Sequence, residues 1–225
     1  FFQPFGCENV LVKGVTFTNA PFWVMHPIKS NHVTVDGVTV KSHGPNNDGC
    51  DPEYAKNVHI TNCLFDTGDD CIAIKSGRNE DGRRVKIPSE NIIVENCEMK
   101  DGHGGVVMGS EISAGVRNVF VRNCKMDSPN LDRAIRIKTN TLRGGFVDGV
   151  YVKDVQVGQV KEAVLKVNTH YGIYANQEGE FIPEIKNIYL ENITVEKGGK
   201  YGLLIKGREA TPVANINLKN VTIKG

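Results

Sequence analysis

Three acids, one imidazole and two cations stand along this chain in short contexts that could serve one reaction. "NNDGCD" carries Asp48, "GDDCIAI" carries Asp69 and Asp70, "GHGGVVM" carries His103, and "DRAIRIK" carries Arg136 and Lys138. The Asp69-Asp70 pair poses a conformational question. A regular strand turns neighbouring side chains to opposite faces. One of the two carboxylates would then be buried, which is costly for an unpaired charge. Gly68 precedes the pair, and a turn or bulge there could aim both outward. Taken alone, the pair reads better as solvated turn aspartates, because Asp favours turns. Converging carboxylates suit general acid–base work. Such neighbours cannot all ionise cheaply, so one pKa should rise and supply an acid at mildly acidic pH.

Whether these residues meet depends on the elements that carry them. One pattern recurs: Asn, apolar, x, apolar, x, Asn or Gly, apolar, x, apolar. It reads "NVLVKGVTF" at 9, "HVTVDGVTV" at 32, "NVHITNCLF" at 57 and "NIIVENCEM" at 91. It continues as "NVFVRNCKM" at 118, "GVYVKDVQV" at 149, "NIYLENITV" at 187 and "NINLKNVTI" at 215. Alternation predicts strands. Gly14, Gly37, Asn62, Asn96, Asn123, Asp154, Asn192 and Asn220 fall at the centre of each unit. Gly, Asn and Asp tolerate a left-handed turn. A further apolar stretch follows in most units, as in "CIAIK", "GVVMG", "AIRIK", "AVLKV" and "GLLIK".

About three short strands per unit, with no helix long enough to cross a sheet, predict an all-β fold: a single-stranded right-handed parallel β-helix, a β-solenoid of about eight coils. Residues 1–225 form one such domain. Cys63, Cys97 and Cys124 share one inward position with Val15, Val38, Val155, Ile193 and Val221, so they read as small buried hydrophobes. Inward positions also include Ile72, Ile74, Val106, Met108, Ile135 and Ile137, with Leu64 outside or at a turn. Aligning the second strand region of successive coils puts Asp48 level with Asp70, and Asp69 level with His103. Arg136 falls level with Ala73 and Val107, and Lys138 faces the same way. These two read as the only cations on that strand face.

Composition narrows the classes. The chain of 225 residues has a formal net charge of +1, and its strand cations lack interleaved aromatics, so a nucleic-acid partner is not expected. No apolar run approaches the roughly 18 residues of a membrane span. The six cysteines form no Cys-x-x-Cys pair, and His26, His32, His43, His59 and His170 show no metal-ligand spacing. No phosphate-binding loop is present, so neither metal nor cofactor is expected. The arginine-rich insertion "RNEDGRRVKIP" fits a solvated loop and a cleft wall equally well. The chain starts without Met and runs mid-pattern at both ends, so a mature or truncated piece is expected.

These residues resemble glycoside hydrolase family 28, the polygalacturonase family, in its bacterial and plant-like members. The family's four marks are Asn-Thr-Asp, Asp-Asp, Gly-His-Gly and Arg-Ile-Lys. They stand here, in order, as Asn46-Asn47-Asp48, Asp69-Asp70, Gly102-His103-Gly104 and Arg136-Ile137-Lys138. "KSGRNEDGRRVKIPSENI", "GSEISAGVRNVFVRNC" and "FWVMHP", with Trp23, His26 and Pro27, strengthen the likeness. Asn47 departs from the usual Thr, and the family's extra N-terminal coils are not in this chain.

The resemblance implies inverting hydrolysis of α-1,4-linked galacturonic acid in polygalacturonate or pectin, with an acid and a base flanking room for water. By similarity Asp69 is the general acid, and Asp48 and Asp70 hold and activate the water. His103 orients the acid or contacts substrate. Arg136 clamps the sugar carboxylate bidentately and Lys138 adds a point charge. Tyr171 or Tyr174 corresponds to a cleft tyrosine. The resemblance further implies a secreted or periplasmic monomer whose partner is the acidic polysaccharide. Two alternatives stay open. A pectate lyase would use the same fold for calcium-dependent elimination, and a non-catalytic β-solenoid would bind carbohydrate or serve as a stalk.

Overall fold

The computed structural model describes residues 1–172 and 179–225. Among them are eighteen strands and one short helix, arranged as a thirteen-stranded and a five-stranded sheet. Every strand pairing is parallel, from Glu8–Lys13 against Asn31–Asp36 to Glu184–Lys197 against Ala214–Ile223. This is a parallel β-helix. One aliphatic ladder, Val10–Val33–Val58–Ile92–Val119–Val150–Ile188–Ile216, counts its eight coils.

The turns follow from residue type. Asn62, Asn96, Asn123, Asp154, Asn192 and Asn220 all adopt φ between 51° and 56°. The asparagines that begin each unit do the same at Asn9, Asn57, Asn91, Asn118, Asn187 and Asn215, a second left-handed ladder that alternation alone did not predict. Their amides bond up the stack, as in Asn91 Nδ2 to Asn57 Oδ1 and Asn118 Nδ2 to Asn91 Oδ1, both 3.1 Å. From residue 146 onward the first two strands of a coil merge into one, giving Phe146–Gln159 and Glu184–Lys197.

Cys63, Cys97 and Cys124 are buried and unpaired, and all six cysteines are free thiols. Val38, Val155 and Ile193 fill the same ladder, but Val15 at its first rung is 42% exposed and Val221 at its last is only partly covered. Each end rung has a neighbour on one side only, so the inward position there is not sealed. The insertion is not a simple loop: Asn79–Val85 is an α-helix that ends on Lys86 in the left-handed region, φ 55°. Arg83 fastens it, donating to the carbonyls of Leu142 and Arg143 at 3.0 and 3.1 Å and covering the Phe181 ring at 3.6 Å.

The five-stranded sheet carries the chemistry-bearing face. It comprises Ile72–Ile74, Val106–Gly109, Arg133–Lys138, Ala163–Asn168 and Tyr201–Lys206. Ile72, Ile74, Val106, Met108, Ile135 and Ile137 point into the core, as alternation predicts, and Leu64 is only half-buried. Ala73, Val107 and Arg136 are in register on the other face.

Candidate active site

The predicted residues come together. Asp48 lies between the Thr39–Ser42 strand and the Cys50 bridge to Ile72. That bridge puts Asp48 level with Asp70, and the Gly49 N–H donates to the Asp70 carbonyl at 3.0 Å. Asp69 and Asp70 occupy the bend between Leu64–Thr67 and Ile72–Ile74. The chain is not a regular strand there, so both side chains reach one side. The Asp70 N–H donates to Asp69 Oδ1 at 2.9 Å, and Thr67 Oγ1 donates to the Asp69 carbonyl at 2.8 Å. One carboxylate oxygen from each of Asp48, Asp69 and Asp70 lies within 4.8 Å of the others.

The glycines beside His103 allow this closeness. Gly102 has φ 153°, and a Cβ on it would stand 2.7 Å from the Asp69 carbonyl. A Cβ on Gly104 would stand 2.4 Å from Val107 and 3.3 Å from Asp70 Oδ1. His103 itself is held by its backbone N–H on the Asp69 carbonyl and by Nδ1, 3.0 Å from Asp69 Oδ1. Asp69 Oδ1 thus has two partners, whereas Oδ2 has none among the described residues.

The two predicted clamps are already engaged. Lys138 Nζ stands 2.7 Å from Asp70 Oδ2, and Arg136 stands 3.4 Å from Asp70 Oδ1. Asp70 is fully buried, and both cations are only 7% exposed. They are therefore not free clamps, as the sequence reading has them, but the counter-charges of a buried carboxylate. The Tyr171 ring lies 5.2 Å from both cationic groups, so this tyrosine does reach the site. Tyr174 lies outside the described residues.

A third lysine belongs to the same face and contradicts the reading of Arg136 and Lys138 as its only cations. Lys75 is 3% exposed. Its Nζ stands 3.6 Å from Asp48 Oδ2 and 3.4 Å from both Asp51 Oδ2 and Glu111 Oε2. It also lies 4.4 Å over the Trp23 ring. Glu111 in turn meets Arg143 at 3.1 Å. The signal for Lys75 was present: it stands two residues past Ala73, as Lys138 stands two past Arg136 in the neighbouring register. Asp51, Glu111 and Arg143 carried no such signal, because their contacts come from separate loops. Asn47, where the family has Thr, is buried and donates to the Ala20 carbonyl and to Ser42 Oγ. That role supports the loop and does not touch the acids.

Environment divides the three acids. Burial raises Asp48 most, with Asp70 and Asp69 adding to it and Lys75 opposing, and the result is a pKa pushed up to about 7. Burial also works to raise Asp69, but the His103 hydrogen bond and the charge of Lys138 outweigh it and hold the carboxyl below its usual value. The hydrogen bond to Asp69 raises His103 correspondingly. The expected raised acid is therefore found on Asp48 and not on Asp69. The closeness of the three oxygens would also suit a cation, as the lyase alternative requires. Lys75, Arg136 and Lys138 already stand against Asp48 and Asp70, which weakens the attraction for one. His43, Asp66 and Asp101 form a second group of close ligand atoms that histidine spacing did not suggest.

The insertion borders this site. Arg78, Asn79, Ser110, Glu111, Leu142, Arg143, Tyr171 and Gly172 line a pocket of about 380 Å³, so the insertion is a wall of the cleft. The fold and the site together define a parallel β-helix protein with an acid cluster and cations on one sheet face. The chain belongs to glycosyl hydrolases family 28, whose sequence profile matches residues 1–225. It is 29% identical over 220 residues to a probable polygalacturonase of Vitis vinifera, covering 96% of this chain and 44% of that one. An endo-polygalacturonase of Pectobacterium parmentieri is also 29% identical, with 96% and 50% covered. Among solved structures, a hyperthermoactive exopolygalacturonase from Thermotoga maritima superposes with a TM-score of 0.95 at 43% identity, covering 100% of this chain and 50% of that one. The chain thus spans about half the length of the curated relatives it matches.

Proposed function

We propose that this chain carries the catalytic half of a hydrolase that cleaves α-1,4-galacturonosidic bonds of polygalacturonate, with inversion. The carrying observation is the cluster of Asp48, Asp69 and Asp70 within 4.8 Å, with Lys75 against Asp48 and Arg136 and Lys138 against Asp70. Asp69 is the proton donor. Its Oδ1 already accepts two hydrogen bonds, so Oδ2 is the atom that carries the proton to the leaving oxygen. Asp48 and Asp70 hold and activate the water. One proton is shared by the cluster, and it titrates as a property of the group. In the free site it rests on Asp48, and the productive form has it on Asp69 with Asp48 ionised. His103 orients Asp69. Arg136 and Lys138 hold Asp70 and offer their remaining donors to the sugar carboxylate beside Tyr171. The protein acts on secreted or periplasmic ground as a monomer, and its partner is the acidic polysaccharide. No cofactor takes part.

The carboxylates are closer than the roughly 6.5–9.5 Å common to inverting glycosidases. Stereochemistry is therefore part of the test. The purified protein is given polygalacturonate and defined oligomers. New reducing ends without near-ultraviolet absorbance, appearing first as the β-anomer by NMR, support the reading. Unsaturated, absorbing products mean elimination, and a first α-anomer means retention. Loss of the shared proton should reduce activity as pH rises past about 7.

A further inference from the structure

Lys75 is itself almost wholly buried, yet it touches more acids than any residue named above. Starting from that geometry, we infer that Lys75 is a positioning residue: its ammonium holds the Asp48 carboxylate toward the cleft and keeps the cluster's shared proton free to pass to Asp69. The inference rests on the reading of Asp48 as a water-activating base.

The local sequence fixes the lysine. Ile72 and Ile74 bury into the core, so Ala73 and Lys75 face outward. Register puts Lys75 level with Gly109, and Gly109 pairs with Lys138. The glycine leaves room between two lysines on one row. Trp23 closes over Nζ at 4.4 Å, which prevents the side chain from leaving for solvent. The ammonium must then stay among carboxylates. Burial works against its charge, but Asp51, Asp48 and Glu111 outweigh burial and hold its pKa above the ordinary lysine range.

Charge counting gives the consequence. Against burial, Glu111 is held ionised, at about 2, by Lys75 first and by Arg143 second. One ammonium therefore faces three acids, Glu111 and the buried Asp48 and Asp51. Asp51 is fully buried, neither of its oxygens makes a well-formed hydrogen bond, and burial raises it well above the usual range. Asp51, raised by burial, competes weakly, and the charge of Lys75 is shared by Glu111 and Asp48. The charged groups facing Asp48 are Lys75 from the Ile72–Ile74 strand, Asp69 and Asp70 from the bend before it, Lys138 from its strand, and Asp51 from its own segment. Of the two cations, Lys75 is the larger influence on Asp48. Without it, Asp48 would hold the shared proton more tightly and release it less readily to Asp69.

The test is Lys75→Met with the pH profile of kcat/KM on galacturonate oligomers. An opposite charge at this range is worth about 1–3 pKa units. The alkaline limb should move up by about one unit or more, and the plateau should fall about tenfold per unit, as the proton sits on the wrong acid. The ¹³C carboxyl titration of Asp48, identified by its loss in Asp48→Asn, should move up by the same amount. An even loss of activity with an unmoved limb overturns the inference, as does an unmoved Asp48 titration. If Lys75→Met does not fold, Glu111→Gln decides. It removes a competitor for Lys75 at a half-buried site, so the limb should move down, and an unmoved limb overturns the inference. If the unaltered protein shows no hydrolysis, the functional reading fails, and the Asp48 titration alone still decides the role of Lys75.

Discussion

Asp70 and Asp48 lie level on successive coils, and each has a lysine beside it. Lys138 stands 2.7 Å from Asp70, and Lys75 stands 3.6 Å from Asp48. The surroundings then diverge. Asp70 has Arg136 as a second cation, and Lys138 has no second acid within ion-pair distance among the described residues. Lys75 is divided among Asp48, Asp51 and Glu111. The same residue pair thus stands once as a fixed pairing, two cations on one acid, and once as an adjustable one, a single cation among three acids. Asp70, held by two cations, is placed to hold water. An adjustable Asp48 can trade a proton with its neighbour.

Breaking the fixed side should have the larger effect on stability. Lys138→Met leaves a buried carboxylate with Arg136 alone at 3.4 Å. Removing one partner of a buried pair costs about 3–5 kcal/mol. Thermal or urea unfolding at neutral pH should show that loss. An unchanged unfolding midpoint would contradict the pairing of Lys138 with Asp70 as a source of stability.

The adjustable side should respond more gently and with a definite sign. The Asp48 carboxyl ionises near 3.8 in an unfolded chain but near 7 in the fold. The unfolded chain therefore binds fewer protons across that window, and stability falls as pH rises through it. Asp48→Asn removes the penalty. Its melting temperature should match the parent near pH 4 and exceed it by a few degrees at pH 7 to 8. A gain that is equal at both pH values would show that the effect is packing and not titration.

Legibility in the sequence followed locality and period. The coils, the Cys63, Cys97 and Cys124 ladder, and the level placement of Asp48 with Asp70 all follow from an alternating repeat. Arg136 against Ala73 and Val107 follows from the same rule. Three features did not. The helix Asn79–Val85 sits in an insertion with no repeat to read, and its anchor is a tertiary contact of Arg83. Engagement of Arg136 and Lys138 by Asp70 is a contact across more than sixty residues of sequence, |i−j| of 66 and 68, and register shows only that the side chains share a face. The raised pKa fell on Asp48 because burial differs between acids, 4% exposure at Asp48 against a half-buried Asp69, and motif spacing does not report depth.

The division of labour between Asp69 and Asp48 is open to one direct measurement. Asp69→Asn and Asp48→Asn are each compared with the parent on polygalacturonate and on an aryl α-galacturonide with a good leaving group. General acid–base steps are worth about 10²–10⁴-fold, and both variants should lose that much on the polymer while keeping a β-sheet circular dichroism spectrum. A good leaving group needs no proton, so Asp69→Asn should regain most of its rate on the aryl substrate and Asp48→Asn should not. Recovery of Asp48→Asn, with Asp69→Asn still inactive, would contradict the assignment and make Asp48 the donor.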